Sequence, residues 1–384
     1  MTKADKEGQR KTPILRFKGF TDDWEQRKLL KVCKKEDNKR IPIKEQERKE
    51  GNTPYFGANG IQGYIDGYTH DGTNILIAED GANNVRNYPI KLITGKIWVN
   101  NHAHVLKVNT KTNNGNFLVG AIKKINFYRY LVGSSRYKLT AESLNQVKIK
   151  IAKQSEQEKI GKLLKNIEKL LTLYERKKEL LKKFQQGFSD ILFKKNSKEC
   201  VSLGDCFYFN KGKNIGNKDL INNGKYYAIV YGELYTTYNY VISKVSSKTS
   251  VKGFEGRKND LLFPSSSTVP FGTATCSALK VDNIELGNDI IIARPKDTNK
   301  LDSAFISYQI NSKRKILYPI ISGTTITHMY SKDLSKIKIW LPSIVTQKYI
   351  SNILQRIDRL NLLVDKKINI LKAIKKELLN TMFI

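Results

Sequence analysis

The sequence predicts an α+β protein: two β-rich globular segments separated by two long antiparallel coiled-coil helices, arranged as a pseudo-twofold internal repeat. The repeat itself is the first of three observations behind this. Leu144, Val147, Ile149, Ile151, Gln157, Ile160, Leu164, Ile167 and Leu170 return 190 positions later as Leu334, Ile337, Ile339, Leu341, Gln347, Ile350, Leu354, Ile357 and Leu360, with no gap as far as Phe193 and Phe383. The second is a pair of stretches whose apolar residues step by three and four. The third is the character of the segments before them, short apolar runs punctuated by glycine. Such a body has two equivalent working ends and suits a target in two parts.

The elements follow in order. Residues 1–20 read as a charged, polar leader without an apolar core. Residues 21–151 form the first β-rich segment, where Gly57, Gly60, Gly63, Gly67, Gly72 and Gly81 separate runs such as Ile75 to Ala78 and Ile97 to Val99. The alternation Val147-Lys148-Ile149-Lys150-Ile151 marks its last strand. Residues 152–196 carry the first helix, with a seam of Ile160, Leu164, Ile167, Leu171, Tyr174 and Leu181. Residues 197–341 are again strands and turns. Residues 342–384 open with Pro342 and carry the second helix, with a seam of Ile350, Leu354, Ile357, Leu360, Val364 and Leu371. Each helix is the other's matching stripe, so the two are expected to pair antiparallel. Lys177 and Lys367 are expected to interrupt both seams at one repeat position.

Lys and Arg outnumber Asp and Glu by 68 to 36, a net charge of +32. The two helical stretches hold +6 and +5, so +21 falls to the rest of the chain. A polyanion is the natural partner, and nucleic acid leads. Cys33, Cys200, Cys206 and Cys276 are too few and too scattered for a disulfide framework, which predicts a reducing compartment. With no signal peptide and no apolar run of about 18 residues, a cytoplasmic protein without membrane contact is expected.

Catalytic motifs are missing. None of the nine prolines is followed by proline or by aspartate, which removes the usual base-clamping motif of a methyltransferase and the opening of a metal-dependent nuclease site. Nor is there a phosphate-cradling loop of the Walker A kind. His102 and His104, two apart on a strand, are the best metal pair, but no third ligand sits at a zinc-like spacing. Glu79-Asp80 beside Gly81 reads as a turn at a strand end. No catalytic and no metal site is therefore predicted.

What remains is a set of polar, basic and aromatic loop residues suited to base edges and phosphates. In the first segment they are Asn83, Asn84, Arg86, Asn100, Asn101, His102, Ser134, Ser135, Arg136 and Tyr137. In the second they are Lys211, Lys213, Tyr231, Ser265, Ser266, Ser267, Thr268, Thr273, Thr275, Thr324, Thr325 and His328.

The stretch Leu15 to Leu29, LRFKGFTDDWEQRKL, resembles the start of specificity subunits of type I restriction-modification enzymes. Ile75 to Asn83 and Trp98 to Leu106 resemble recurrent stretches of one class of their target recognition domains. The two helices are similar to that family's spacers, with Gln157 and Gln347 near the helix starts. The likeness runs from about residue 13 onward and is weaker in the second globular segment, where it rests on Asn259 to Pro264 and the Gly323 turn. It implies that the segments are target recognition domains 1 and 2, each reading one half of an asymmetric bipartite site in double-stranded DNA. It also implies that the helices fix the gap and dock two modification (methyltransferase) subunits and, through them, two restriction (translocase and nuclease) subunits. S-adenosylmethionine, ATP and Mg would then sit on those partners and no cofactor on this chain. The rival reading is a basic coiled-coil scaffold with non-specific DNA binding.

Overall fold

A computed structural model describes residues 11–133, 137–194 and 200–384. The chain divides into two compact units, residues 1–175 with 366–384, and residues 176–365.

In the first unit Cys33–Lys35, Ala103–Val108, Thr73–Ala78 and Ile90–Thr94 make a four-stranded antiparallel sheet in that order. A second sheet joins Gly60–Ile65, Thr53–Gly57 and Trp98–Val99. Ile75, Ile77 and Leu106 of the larger sheet are fully buried against Phe117, Leu118 and Ile122 of helix α1 (Gly115–Lys123). Asn114 caps that helix, its side chain accepting from the amides of Asn116 and Phe117. The expected last strand, Lys148–Ile151, pairs antiparallel with Glu25–Lys28 and leads into helix α2 (Gln154–Lys194), about 60 Å long at 1.5 Å per residue. The described part of the leader is fastened down: Arg16 makes two hydrogen bonds to Glu156, and Leu15 N donates to Thr381 O.

The second unit repeats this plan with a larger sheet. Its five strands run Phe207–Lys211, Ile290–Pro295, Leu261–Pro264, Ser277–Leu279, Val241–Ile242, and a four-stranded sheet joins Lys248–Thr249, Tyr226–Ile229, Ile284–Leu286 and Phe254–Gly256. Helix α3 (Ser303–Ser312), capped by Asp302, is buried at every position but the last. Its polar residues are all used: Ser307 Oγ donates to Tyr240 O and Cys276 O, and Asn311 Nδ2 to Cys276 O. Lys338–Trp340 pairs with Cys200–Ser202 before helix α4 (Ile344–Thr381), which starts two residues after Pro342 with the Ser343 hydroxyl accepting from Thr346 N.

One glutamine organises each junction. Gln157 Oε1 accepts from Asn114 N at 3.1 Å while its Nε2 donates to Ala152 O. Gln347 does the same in the repeat, accepting from Asp302 N at 2.9 Å and donating to Pro342 O and Lys300 O. Both are buried, and each ties the cap of a domain helix to the first turn of a long helix.

Within each unit the long helices run antiparallel. Lys372 lies 3.2 Å from Glu175 in the first, where Lys375 also pairs with Glu168. In the second, Lys178 lies 2.5 Å from Asp365, and Gln185 Nε2 donates to Asp358 at 2.7 Å. The inward positions step strictly by four and three: Ile160, Leu164, Ile167 and Leu171 are buried on α2, with Tyr174 and Leu181 half-buried, and Ile350, Leu354, Ile357, Val364, Ile368 and Leu371 are buried on α4. Two expectations need correction. Leu360 is 44% exposed, because the 3.5-residue period brings Asn361 inward in its place, and Ile368 takes a position that had been overlooked. Lys177 and Lys367 are exposed and interrupt nothing. The polar seam residues are instead Lys178, at the repeat position of Ile368; Gln185 and Asn361, hydrogen-bonded to each other at 3.0 Å; and Lys375, whose repeat position is that of Gln185.

Burial drives the Asp358 carboxyl above its ordinary range, outweighing hydrogen bonds from Tyr308 at 2.5 Å and Gln185. An acid with a raised folded value adds stability fully below its unfolded value of about 3.9 and loses it as pH rises through the folded one. Asp358→Asn should therefore gain melting temperature over the natural chain, by a margin that widens from about pH 4 upward and then levels. Thermal melts across pH check this, and a margin independent of pH refutes it.

Candidate nucleic-acid interface

The candidate residues gather at one end of each large sheet. In the first unit this end is built on a buried charge network. His104, 1% exposed, faces Asp37 through Nδ1 at 2.7 Å and Leu139 O through Nε2 at 2.8 Å. Arg40 donates to Glu79 at 2.6 Å and to Ala103 O, and Lys138 lies 3.4 Å from Glu79. The Asp37 carboxyl is destabilised by burial, yet hydrogen bonds from His104 and the Val105 amide hold it below its usual range. Ligand atoms of Asp37, Glu79 and His104 lie within 4.8 Å of one another, but Arg40 and Lys138 already balance their charge. His102 and His104 do not share one face of a strand: His104 turns inward, whereas His102 precedes the strand and lies 4.0 Å from Asp80. The network pins the strand ends from which the outer loops spring, and an Asp80↔Lys138 bridge joins the loop after Ala78 to the loop after Tyr130.

The two units share the frame of these loops. Val132 bridges Lys138 in one, and Ser322 bridges His328 in the other, 190 residues on. Gly133 and Gly323 open the two turns at φ 96° and 95°, a conformation that side chains rarely adopt, and a Cβ on Gly323 would meet Ile326 O at 2.1 Å. In the second unit Ser266–Ser267 pairs with Thr327–His328, which brings a second loop alongside. Lys211 and Ser265 lie at the same sheet end through the pairing Lys211↔Ile291 and the Ser265 N to Asp289 O hydrogen bond.

Asn83, Asn84, Arg86 and Asn101 are exposed in the first unit, and His102 and Tyr137 half-buried. Ser134, Ser135 and Arg136 lie outside the described residues. Lys211, Lys213, Thr268, Thr324 and Thr325 are exposed in the second unit, with Tyr231, Ser265 and His328 half-buried. Five expected residues are buried and bonded internally. Asn100 closes its turn by accepting from His102 N and donating to Gln62. Ser266 lies within the two-residue pairing with His328, and the Ser267 hydroxyl accepts from Val269 N. Thr273 donates to Thr327, and Thr275 to Asn311. These hydroxyls and amides satisfy backbone groups and neighbouring side chains, a role that composition does not separate from ligand binding.

The match to the family of type I restriction modification DNA specificity domains covers residues 21–183 and 196–373, one copy for each half of the repeat. The chain belongs to this family. It is 30% identical over 360 residues to a putative type I restriction enzyme specificity subunit of Haemophilus influenzae, covering 90% of this chain and 89% of that one. Among solved structures, the S subunit of a type I restriction-modification system from M. genitalium shares the fold at a TM-score of 0.73 and 15% identity, over 97% of this chain and 99% of that one. A chain from a study of complex assembly and conformational transition in a type I system follows at a TM-score of 0.51 and 16% identity, over 94% and 97% of the two chains. The two units of this specificity chain thus share one frame and carry different loops. Sequence reading missed two exposed rings beside those loops, Tyr128 and Tyr318, although their 190-residue separation was a usable signal.

Proposed function

We propose that this specificity chain recognises an asymmetric bipartite site in duplex DNA, each unit reading one half, and does no bond chemistry itself. The observation that carries this reading is the repetition of one turn frame, opened by Gly133 and Gly323, beside loops with different exposed side chains: Asn83, Asn84 and Arg86 after Ala78 in one unit, Thr268 and Phe271 after Pro264 in the other. Equal frames place the readers equivalently, and unequal side chains address different bases. The net charge of +32 supplies phosphate neutralisation.

The partners follow from the helices and from family membership. Leu170, Leu173, Ile370 and Ile374 in the first unit and Leu180, Phe184, Leu360 and Leu363 in the second are 43% to 57% exposed, apolar area that suits two bound modification subunits. Restriction subunits would join through these, and S-adenosylmethionine, ATP and Mg would belong to the partners. Among the described residues no helix is long and apolar enough to cross a membrane. A cytoplasmic setting agrees with a DNA target.

The test is to express the chain with its modification subunit in a host that lacks the system and to map methylated adenines. A two-part motif is expected, and Arg86→Ala should relax only one half of it. Binding that ignores sequence and yields no motif would favour the scaffold reading, while equal weakening at every sequence would reassign Arg86 to a phosphate.

A further inference from the structure

Tyr128 and Tyr318 occupy one position of the repeat and are both displayed at the reading end. Each follows an anchor sunk in its core, Phe127 at 2% exposure and Leu317 at 0%, within a short 3-10 helix (Phe127–Tyr130 and Arg314–Ile320). The anchors fix the turn, so the next side chain is thrown outward: Tyr128 is 60% exposed and Tyr318 38%. Each ring leans on an aromatic residue of the loops described above. Tyr128 meets Tyr137 edge-on at 5.7 Å, and Tyr318 meets Phe271 at 4.5 Å, where Phe271 is itself 55% exposed at φ 56°. Tyr128 also walls a 240 Å³ cavity with Arg86 and Asn126.

The neighbours of the two tyrosines differ. The repeat counterpart of Tyr137 is Thr327, and Phe271 is exposed in the loop after Pro264, whereas the one aromatic residue of the loop after Ala78, Tyr88, is buried. A side chain that stays the same while its surroundings diverge cannot be what distinguishes the two half-sites. It supplies something both halves need, whatever their sequence. A tyrosine ring held at the rim by a buried neighbour offers a flat apolar face, and in a duplex, whose bases cover one another, that face can pack on the deoxyribose of the backbone whatever the sequence.

We infer that Tyr128 and Tyr318 are sequence-neutral packing contacts to the DNA, one for each half-site, which set affinity and leave base choice to the loops around them. The inference rests on the DNA-reading assignment above. It separates these residues from Arg86 by two readouts. A ring displaces no condensed cations, so its removal weakens binding by the same factor at every salt concentration, whereas loss of a phosphate contact changes the slope. Packing on the sugar also carries no base identity, so the methylated motif is kept.

The experiment uses the full chain with its modification subunit, a duplex carrying the mapped site, a scrambled duplex of equal length, and salt varied from about 50 to 200 mM. Tyr128→Ala, Tyr318→Ala and their Leu counterparts should each bind the site about tenfold more weakly, in parallel with the natural chain across salt. Tyr128→Phe and Tyr318→Phe should bind as the natural chain does, and all variants should melt at its temperature and methylate its motif. Unweakened alanine variants overturn the inference, as does a loss shared by the Phe variants, a changed salt slope, or a relaxed motif. A natural chain that binds site and scramble equally overturns the DNA-reading assignment itself, an outcome visible before any variant is made.

Discussion

Phe383→Ala is expected to destabilise the first unit by about 3–5 kcal/mol, the range for emptying a buried aromatic site. The ring is 2% exposed, 5.3 Å from Phe117 of α1 and 5.9 Å from Trp24, and it fills space that a side chain at position 120 would occupy: a Cβ on Gly120 would meet its Cζ at 2.4 Å. Its repeat counterpart Phe193 does the same in the second unit, packing edge-on at 5.7 Å against Phe305 of α3. Each long helix therefore ends by plugging a phenylalanine into a globular core. Hydrogen exchange followed by mass spectrometry checks the placement, since a two-unit chain need not melt in one step. Phe383→Ala should speed exchange in Gly115–Lys123 and spare Ser303–Ser312, and Phe193→Ala should do the reverse. Equal acceleration in both helices would show that the plugs do not act locally.

How much of this was written in the sequence depends on what each residue does with its surroundings. The long helices were legible because their stripes are one-sided, and a half-wet helix advertises its period. The seam was misread by one residue at Leu360 because Asn361, a polar residue, occupies the inward position, and apolar stepping alone cannot recognise a polar residue in a seam. Helices α1 and α3 were read as strand and turn for the opposite reason. Ser303–Ser312 is covered on all sides, so its Ser, Gln and Asn fall where amphipathic patterning expects none, and Gly115–Lys123 carries two glycines. Their caps, Asn114 and Asp302, were the remaining local signals. At the reading end, Asn100, Ser266, Ser267, Thr273 and Thr275 have the chemistry of DNA contacts but satisfy backbone and neighbouring side chains, and only the fold shows which way they face. Tyr128 and Tyr318 fared worse still, since a single exposed ring has no pattern until the two copies are laid together.

The second large effect concerns the leader. Glu156, 1% exposed, accepts two hydrogen bonds from Arg16, at 2.8 and 2.7 Å, and one from Trp24 Nε1 at 3.1 Å. The same interaction lifts the Arg16 guanidinium above its ordinary range, with the Glu156 hydrogen bond as the largest cause. Glu156→Ala leaves a guanidinium that is only 12% exposed without its partner and an indole donor unmet, so a loss of about 3–5 kcal/mol is expected. Glu156→Gln keeps the shape and one acceptor but not the charge, and should lose less. Arg16→Met with Glu156→Leu removes both charges together, and because burying an ion pair brings little net gain, this double variant should recover most of the stability lost by Glu156→Ala. Denaturant unfolding followed by Trp24 fluorescence, with Trp98 and Trp340 replaced by phenylalanine in every variant, measures all three. If the double variant is as damaged as Glu156→Ala, the pair contributes through packing of its atoms and not through matched charge. The repeat counterpart of Glu156 is the half-buried Thr346, whose hydroxyl pairs with that of Ser343 at the helix start, so among the described residues no such ion pair forms there, and Thr346→Ala should cost the second unit far less than Glu156→Ala costs the first. That asymmetry ties the clamp to the leader of the first unit, which supplies Arg16.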